Sequence, residues 1–174
     1  MAVRSIGADL GKAIKALETW QPGLGRGARE EVRFGGGTVD LIDDAYNANP
    51  ASMRAALDMI SVSSAPRRIA FLGDMKELGA NEVHQHRALA QWPALGTLDQ
   101  IHTVGPLMQA LHTALPREMR GVHFTSSDEM AKACQDLIKP HDCVLVKASL
   151  SMGLQQVVDV LRKLGHSESN ADSR

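Results

Sequence analysis

Arg67–Gly73 reads RRIAFLG and is followed at once by Asp74-Met75-Lys76-Glu77-Leu78-Gly79. This step from an apolar run to a polar loop decides the fold. Four to six apolar residues without alternation suit a strand buried on both faces. The same step recurs along the chain. Thr38–Asp43, Gln100–Gly105, Gly121–Phe124 and Asp142–Lys147 (DCVLVK) read as further strands. Between them lie helical patterns. Asn49 and Pro50 open one that runs through Ile60, and another covers Glu82–Gln91. Pro106–Leu115 has Pro at the favoured first position. Ser127–Ile138 has a Ser cap and an acidic first turn. Gly153–Leu164 is the last. Upstream, Glu30–Phe34 passes through Gly35-Gly36-Gly37 into Thr38–Asp43, which suits a hairpin. The expected fold is therefore α/β: a Rossmann-like, doubly wound, mostly parallel sheet of about six strands. It has an antiparallel N-terminal strand and helices on both faces. Ligands in such sheets bind outside the carboxyl ends of the strands, where the strand order switches.

The 174 residues are 44% hydrophobic and 22% charged, which fits one globular unit with an ordinary core. Nineteen basic against twenty acidic residues leave a net charge of −1, so no long-range field favours nucleic acid. Cys134 and Cys143 form neither a disulfide framework nor a zinc spacing and suit a reducing compartment. No apolar run reaches membrane-spanning length and no signal sequence opens the chain. A cytoplasmic location and a monomer are expected. Asp9–Trp20 reads as an amphipathic helix, and Gln21-Pro22-Gly23 with Gly25-Arg26-Gly27 as a hinge.

The strand ends hold the candidate chemistry. Thr38–Asp43 leads into Asp43-Asp44-Ala45-Tyr46-Asn47-Ala48-Asn49-Pro50, where two carboxylates, a phenol and two amides precede a helix start. Such a place offers free backbone N–H groups, and a carboxylate can accept from ribose hydroxyls. The plainer reading is that Asn49 caps the helix, Asn47 makes a turn and Asp43 is solvated. Asp142–Lys147 leads into Lys147-Ala148-Ser149-Leu150-Ser151, which suits an anion cradle. The plainer reading there is a solvated Lys147 with Ser151 as a cap. Asp74 is a weaker candidate. His84 and His86 face apart on a helix, so no metal site is expected from them. Gly7-Ala8-Asp9-Leu10-Gly11-Lys12-Ala13 imitates a phosphate-binding loop, but it is one residue short and has Ala13 where Ser or Thr is required. It reads as a helix start.

Four runs together resemble the C-terminal domain of the Mur ligases: LIDDAYNANPASMRAAL, IAFLGDMKELG with His86 seven positions later, TVGPLMQALHTALP and VLVKASLSMGL. Within that family the resemblance is to the MurF type, which adds D-alanyl-D-alanine to UDP-N-acetylmuramoyl-tripeptide in peptidoglycan synthesis. The resemblance implies three segments. Residues 1–27 would be the end of a central ATPase domain plus hinge, 28–165 the C-terminal Rossmann-like domain, and 166–174 a disordered tail. It also implies a route through an acyl phosphate formed from ATP. ATP and Mg would be held mainly by a central domain that, like the N-terminal domain, is missing here. Partners would be D-alanyl-D-alanine and UDP-N-acetylmuramoyl-tripeptide, with no catalytic residue and no metal ligand in this chain. By position, Arg26 and Asp44 would contact the nucleotide. Tyr46, Asn47 and Asn49 would face the acceptor substrate, and Lys147, Ser149 and Ser151 would lie near a substrate carboxylate. Leu150 stands where the family often has Arg. Two other readings remain open: a non-catalytic ligand-binding module, and a phospho-accepting receiver domain built on Asp43, Asp44, Asp74 and Lys147. Asp74 follows Asp44 by only 30 residues, which is short for a receiver.

Overall fold

The structure is a computed structural model that describes residues 9–18 and 23–171. Helix α1 covers Leu10–Glu18, and the Asp9 carboxylate accepts the Lys12 N–H at 2.9 Å as its cap. The loop-like segment is therefore a helix start from Asp9 onward. Gly7, Ala8, Trp20 and the expected turn at Gln21-Pro22 lie outside the described residues.

Strands β1 (Ala28–Phe34) and β2 (Gly37–Asp44) form the antiparallel hairpin, with Phe34 opposite Gly37 and Ala28 opposite Asp43. Gly35 and Gly36 both have positive φ, which a two-residue hairpin turn requires. The rest alternates: α2 (Pro50–Ser61), β3 (Arg67–Gly73), α3 (Glu82–Ala88), β4 (Gln100–Val104), α4 (Met108–Ala114), β5 (Arg120–Phe124), α5 (Ser127–Leu137), β6 (Asp142–Lys147) and α6 (Gln155–Ala171). The sheet order is β1-β2-β6-β3-β4-β5, and every pairing except β1–β2 is parallel. The last strand thus inserts between β2 and β3.

Strand β6 displays the logic of the core. All six of its residues are buried. Cys143 and Leu145 pack into the cluster built with Met53, Leu57 and Ile60 of α2. Val144 and Val146 pack into the opposite cluster with Met130 of α5 and Val157 and Leu161 of α6. Successive strand residues face opposite ways, so both faces must be apolar and the sequence shows no alternation. Each fully buried side chain of this size contributes roughly 1.5–3 kcal/mol.

Several boundaries differ from the sequence expectation. Helix α4 begins at Met108, with Pro106 outside it. The buried Asp74 carboxylate accepts the N–H groups of Leu107 (3.1 Å) and Met108 (2.8 Å), so a side chain from the end of β3 sets this helix start. The last helix begins at Gln155, because Gly153 in the left-handed region closes a short turn at Leu150–Met152. It then continues to Ala171, so residues 166–171, expected to be disordered, are helical. No proline interrupts that stretch; 172–174 lie outside the described residues. The cap of α5 is Ser126, which accepts the Glu129 N–H.

His102 on β4 is buried against Phe71, with ring centroids 5.0 Å apart. Its Nδ1 accepts the Val122 N–H at 3.0 Å, and its Nε2 has no partner among the described residues. Burial, helped by the nearby positive charges of Arg67 and His112, pushes its pKa down to about 4. A histidine held neutral binds fewer protons folded than unfolded, so stability rises with pH between about 4 and 6.5. Acidification across that window should cost roughly 3 kcal/mol. Urea denaturation at pH 7 and pH 4.5 should reveal the slope, and His102→Gln should flatten it. An unchanged slope in the variant would remove His102 as its source.

Candidate functional site

The insertion of β6 brings three strand ends together. The register places Asp44 of β2 beside Lys147 of β6, and Leu72 of β3 on the other side of Lys147. Asp43, a solvated strand end on the plainer reading, is fully buried instead. Its carboxylate accepts the N–H of Gly25 at 3.2 Å and of Ala45 at 3.3 Å, and it binds Arg162 of α6 at 2.9 Å. The segment after residue 22 is thereby fastened to the end of β2. Gly27 donates to the Asp43 carbonyl at 2.8 Å, and Tyr46 donates to the Gly25 carbonyl at 3.0 Å. Gly25 has φ +71°, and a Cβ there would meet the Tyr46 Cβ at 2.9 Å. Glycine alone satisfies both demands. The Arg26 guanidinium lies 4.3 Å above the Tyr46 ring.

Lys147 departs most from expectation. Its side chain is 1% exposed, and its ammonium group donates to Asp44 at 2.5 Å and to the Asn47 carbonyl at 2.9 Å. It is neither solvated nor aimed into an open anion site. Burial pushes the Asp44 carboxyl up from its ordinary range, and the bond to Lys147 pulls against that. Asn49 caps α2: its side chain accepts the Ser52 N–H, and the Ser52 hydroxyl accepts the Asn49 N–H. That amide is committed to the helix and lines neither of the pockets below.

The loop after β3 is held by residues whose sequence context concealed their use. His86 is buried in α3. Its Nε2 accepts the Met75 N–H at 2.9 Å, which leaves the proton on Nδ1 to donate to the Glu82 carbonyl at 2.7 Å. It is a strut and not a ligand. Ser149 joins three loops: its hydroxyl accepts the Lys76 N–H at 2.9 Å and donates to the Ala48 carbonyl, while its own N–H donates to the Asp74 carbonyl. Asp74 is fully buried and binds Lys76 at 2.9 Å besides capping α4, so it is not free to accept a phosphoryl group as a receiver would require. Ser151 does not cap α6.

Two shallow pockets result. One, of about 300 Å³, is lined by Arg26, Gly27, Asp44, Ser52, Ala56 and Met59 among others. The second, of about 410 Å³, is lined by Tyr46, Asn47, Ser149, Leu150 and Ser151, together with Lys76 and Glu77. The stacked Arg26–Tyr46 pair links them. Lys76 and Glu77 were not among the site residues expected from sequence. The signal was present, since they lie in the polar loop that follows β3. Among the described residues no three potential metal ligands cluster, and the carboxylates of Asp43 and Asp44 are already paired, so these residues do not fit a resident magnesium site.

The two lysines should separate on substitution. Lys147→Met strands a half-buried carboxylate, which should cost about 3 kcal/mol. Lys76→Met removes a partly exposed ammonium group from Asp74, whose carboxylate keeps the Leu107 and Met108 N–H bonds, and should cost about 1 kcal/mol or less. Urea midpoints of the two variants provide the comparison, and equal losses would contradict the structural role of Lys147.

The Mur ligase, glutamate ligase domain family matches residues 28–150. A UDP-N-acetylmuramoyl-tripeptide–D-alanyl-D-alanine ligase of Haemophilus influenzae is 36% identical over 70% of this chain and 27% of its own length. The Bacillus subtilis ligase of the same name is 29% identical over 91% of this chain and 36% of its own length. Among solved structures, MurF from Acinetobacter baumannii superposes with a TM-score of 0.74 at 26% identity, covering 92% of this chain and 35% of that one. MurF from Thermotoga maritima, solved in complex with ADP, shares the fold with a TM-score of 0.74 at 24% identity, covering 96% of this chain and 36% of that one. The chain spans about a quarter to a third of the length of the curated relatives it matches. A family match over more than half the chain places this chain in the Mur ligase family, as a Mur ligase C-terminal domain.

Proposed function

We propose that this chain is the closing, substrate-presenting domain of an ATP-dependent ligase. That ligase would join D-alanyl-D-alanine to UDP-N-acetylmuramoyl-tripeptide in peptidoglycan synthesis. The observation that carries this reading is the pair of pockets joined by the Arg26–Tyr46 stack, at the point where β2, β6 and β3 end together. The relatives' names supply the substrates.

In this reading the pocket beside Arg26 takes the nucleotide. Arg26 is exposed and bears on the phosphates, while Asp44 accepts from the ribose with the oxygen that Lys147 leaves free. Lys147 acts at one remove, by holding Asp44 and the Asn47 carbonyl in place. The pocket beyond Tyr46 takes the amine component, with Asn47 and Ser151 as its exposed polar groups. The tripeptide would reach the same edge as an acyl phosphate, for which closure excludes water. The chain would not transfer a phosphoryl group by itself, because its residues from Asp9 to Ala13 open a helix instead of cradling phosphate.

Chemical-shift titration of the 174-residue chain tests this. ADP should perturb Arg26, Gly27 and Asp44, whereas D-alanyl-D-alanine should perturb Tyr46, Asn47 and Ser151. Arg26→Ala should weaken ADP about tenfold, the effect of one charge-assisted contact, and leave the dipeptide's affinity unchanged. Perturbation by both ligands at one common patch, or by neither at these residues, would refute the assignment. Phosphate release from ATP by the chain alone would refute its catalytic silence.

A further inference from the structure

The pocket beyond Tyr46 holds two opposite charges that the fold does not consume. Lys76 lines it with a side chain 38% exposed and one ionic contact, to Asp74 at 2.9 Å. An ammonium group has three N–H donors, so two remain for a ligand. Glu77 lines the same pocket, is exposed, and makes no hydrogen bond or ion pair among the described residues. The neighbouring charges are all spent internally: Asp43 on Arg162 and backbone, Asp44 on Lys147, and Asp74 on α4 and Lys76. Lys76 and Glu77 therefore set the charge of the pocket.

The backbone here is also unusual. Glu77 has φ +65°, a left-handed conformation that disfavours any residue with a Cβ. Glycine or asparagine would fit with less strain, and such outliers concentrate where a side chain is needed in one direction. The neighbouring Lys76 is fixed by the bond from its N–H to the Ser149 hydroxyl. Beside this pair stand the exposed Leu150 and Tyr46, an apolar wall suited to short aliphatic groups.

We propose that Lys76 and Glu77 read the two ends of a small zwitterionic dipeptide, Lys76 binding its carboxylate and Glu77 its ammonium group. This rests on the reading above, in which the pocket receives the amine component. It moves the reading of the carboxylate from Lys147, which is buried and paired, to Lys76 in the loop that follows the neighbouring strand β3. It also gives the pocket a cation although position 150 is leucine.

Dissociation constants from chemical-shift titration of the 174-residue chain test the assignment. The probes are D-alanyl-D-alanine, its C-terminal amide and its N-acetyl derivative. The wild-type chain should prefer the free dipeptide to each blocked form by about tenfold, the effect of one charge-assisted contact. Lys76→Met should abolish the preference over the amide and keep that over the N-acetyl form. Glu77→Gln should do the reverse. Glu77→Gly should match Glu77→Gln in binding and raise the thermal midpoint, because the strain is relieved. A wild-type chain that binds all three alike, or variants that keep both preferences, would overturn the proposal while leaving the pocket assignment intact. A dipeptide that does not perturb Tyr46, Asn47 and Ser151 at all would overturn the pocket assignment and this proposal together.

Discussion

The ion pair between Lys147 and Asp44 is the contact on which the site depends. It spans two parallel strands that lie 103 residues apart in the chain, and it stands where their pairing ends. A one-residue slip of β6 against β2 would reverse every side chain between the two core clusters. It would also strand a buried ammonium group, whose desolvation the Asp44 carboxylate and the Asn47 carbonyl now offset. The fit of β6 side chains into the two core clusters and this pair therefore specify the same register. The loops that follow β2, β6 and β3 are then delivered to one edge, where Ser149 ties them together.

That arrangement explains why formal charge is a poor guide to the surface here. Five of the six ionisable side chains at the ends of β2, β3 and β6 are engaged with partners inside the chain: Asp43, Asp44, Asp74, Lys76 and Lys147. Of these, Lys76 keeps donors open to solvent, and Glu77 is the sixth, without a partner among the described residues. Arg26 adds a cation in the neighbouring pocket, held flat over an aromatic ring. Rings of this kind attract a guanidinium without neutralising it, so its charge stays available.

The fold was legible in the sequence because strands buried on both faces leave unbroken apolar runs. Asp142–Lys147 and Arg67–Gly73 were delimited to the residue for that reason. Helix α2 was legible from Asn49 and Pro50, since capping is local. The insertion of β6 between β2 and β3 was not legible, because strand order is a matter of contacts between distant segments. The burial of Asp43 and Lys147 was hidden for the same reason: each finds its partner more than 100 residues away, at Arg162 and Asp44. The start of α4 was misread because a remote carboxylate outranked a local proline. In the candidate site, the loops after β2, β3 and β6 stand out as polar runs after apolar strands, whereas Lys76 and Glu77 are inconspicuous beside Asp74.

The triple engagement of Asp43 has a mechanical consequence. One buried carboxylate grips the incoming segment at Gly25, the loop at Ala45 and the last helix at Arg162, which in turn holds Glu30 of β1. A torque entering through residues 23–27 is thus applied at once to both strands of the hairpin and to α6. The load is shared by the sheet's edge and one flanking layer, and no single strand bears it in peeling geometry. A domain loaded in this way would turn as a rigid lever, with both pockets carried on its arm and their spacing preserved.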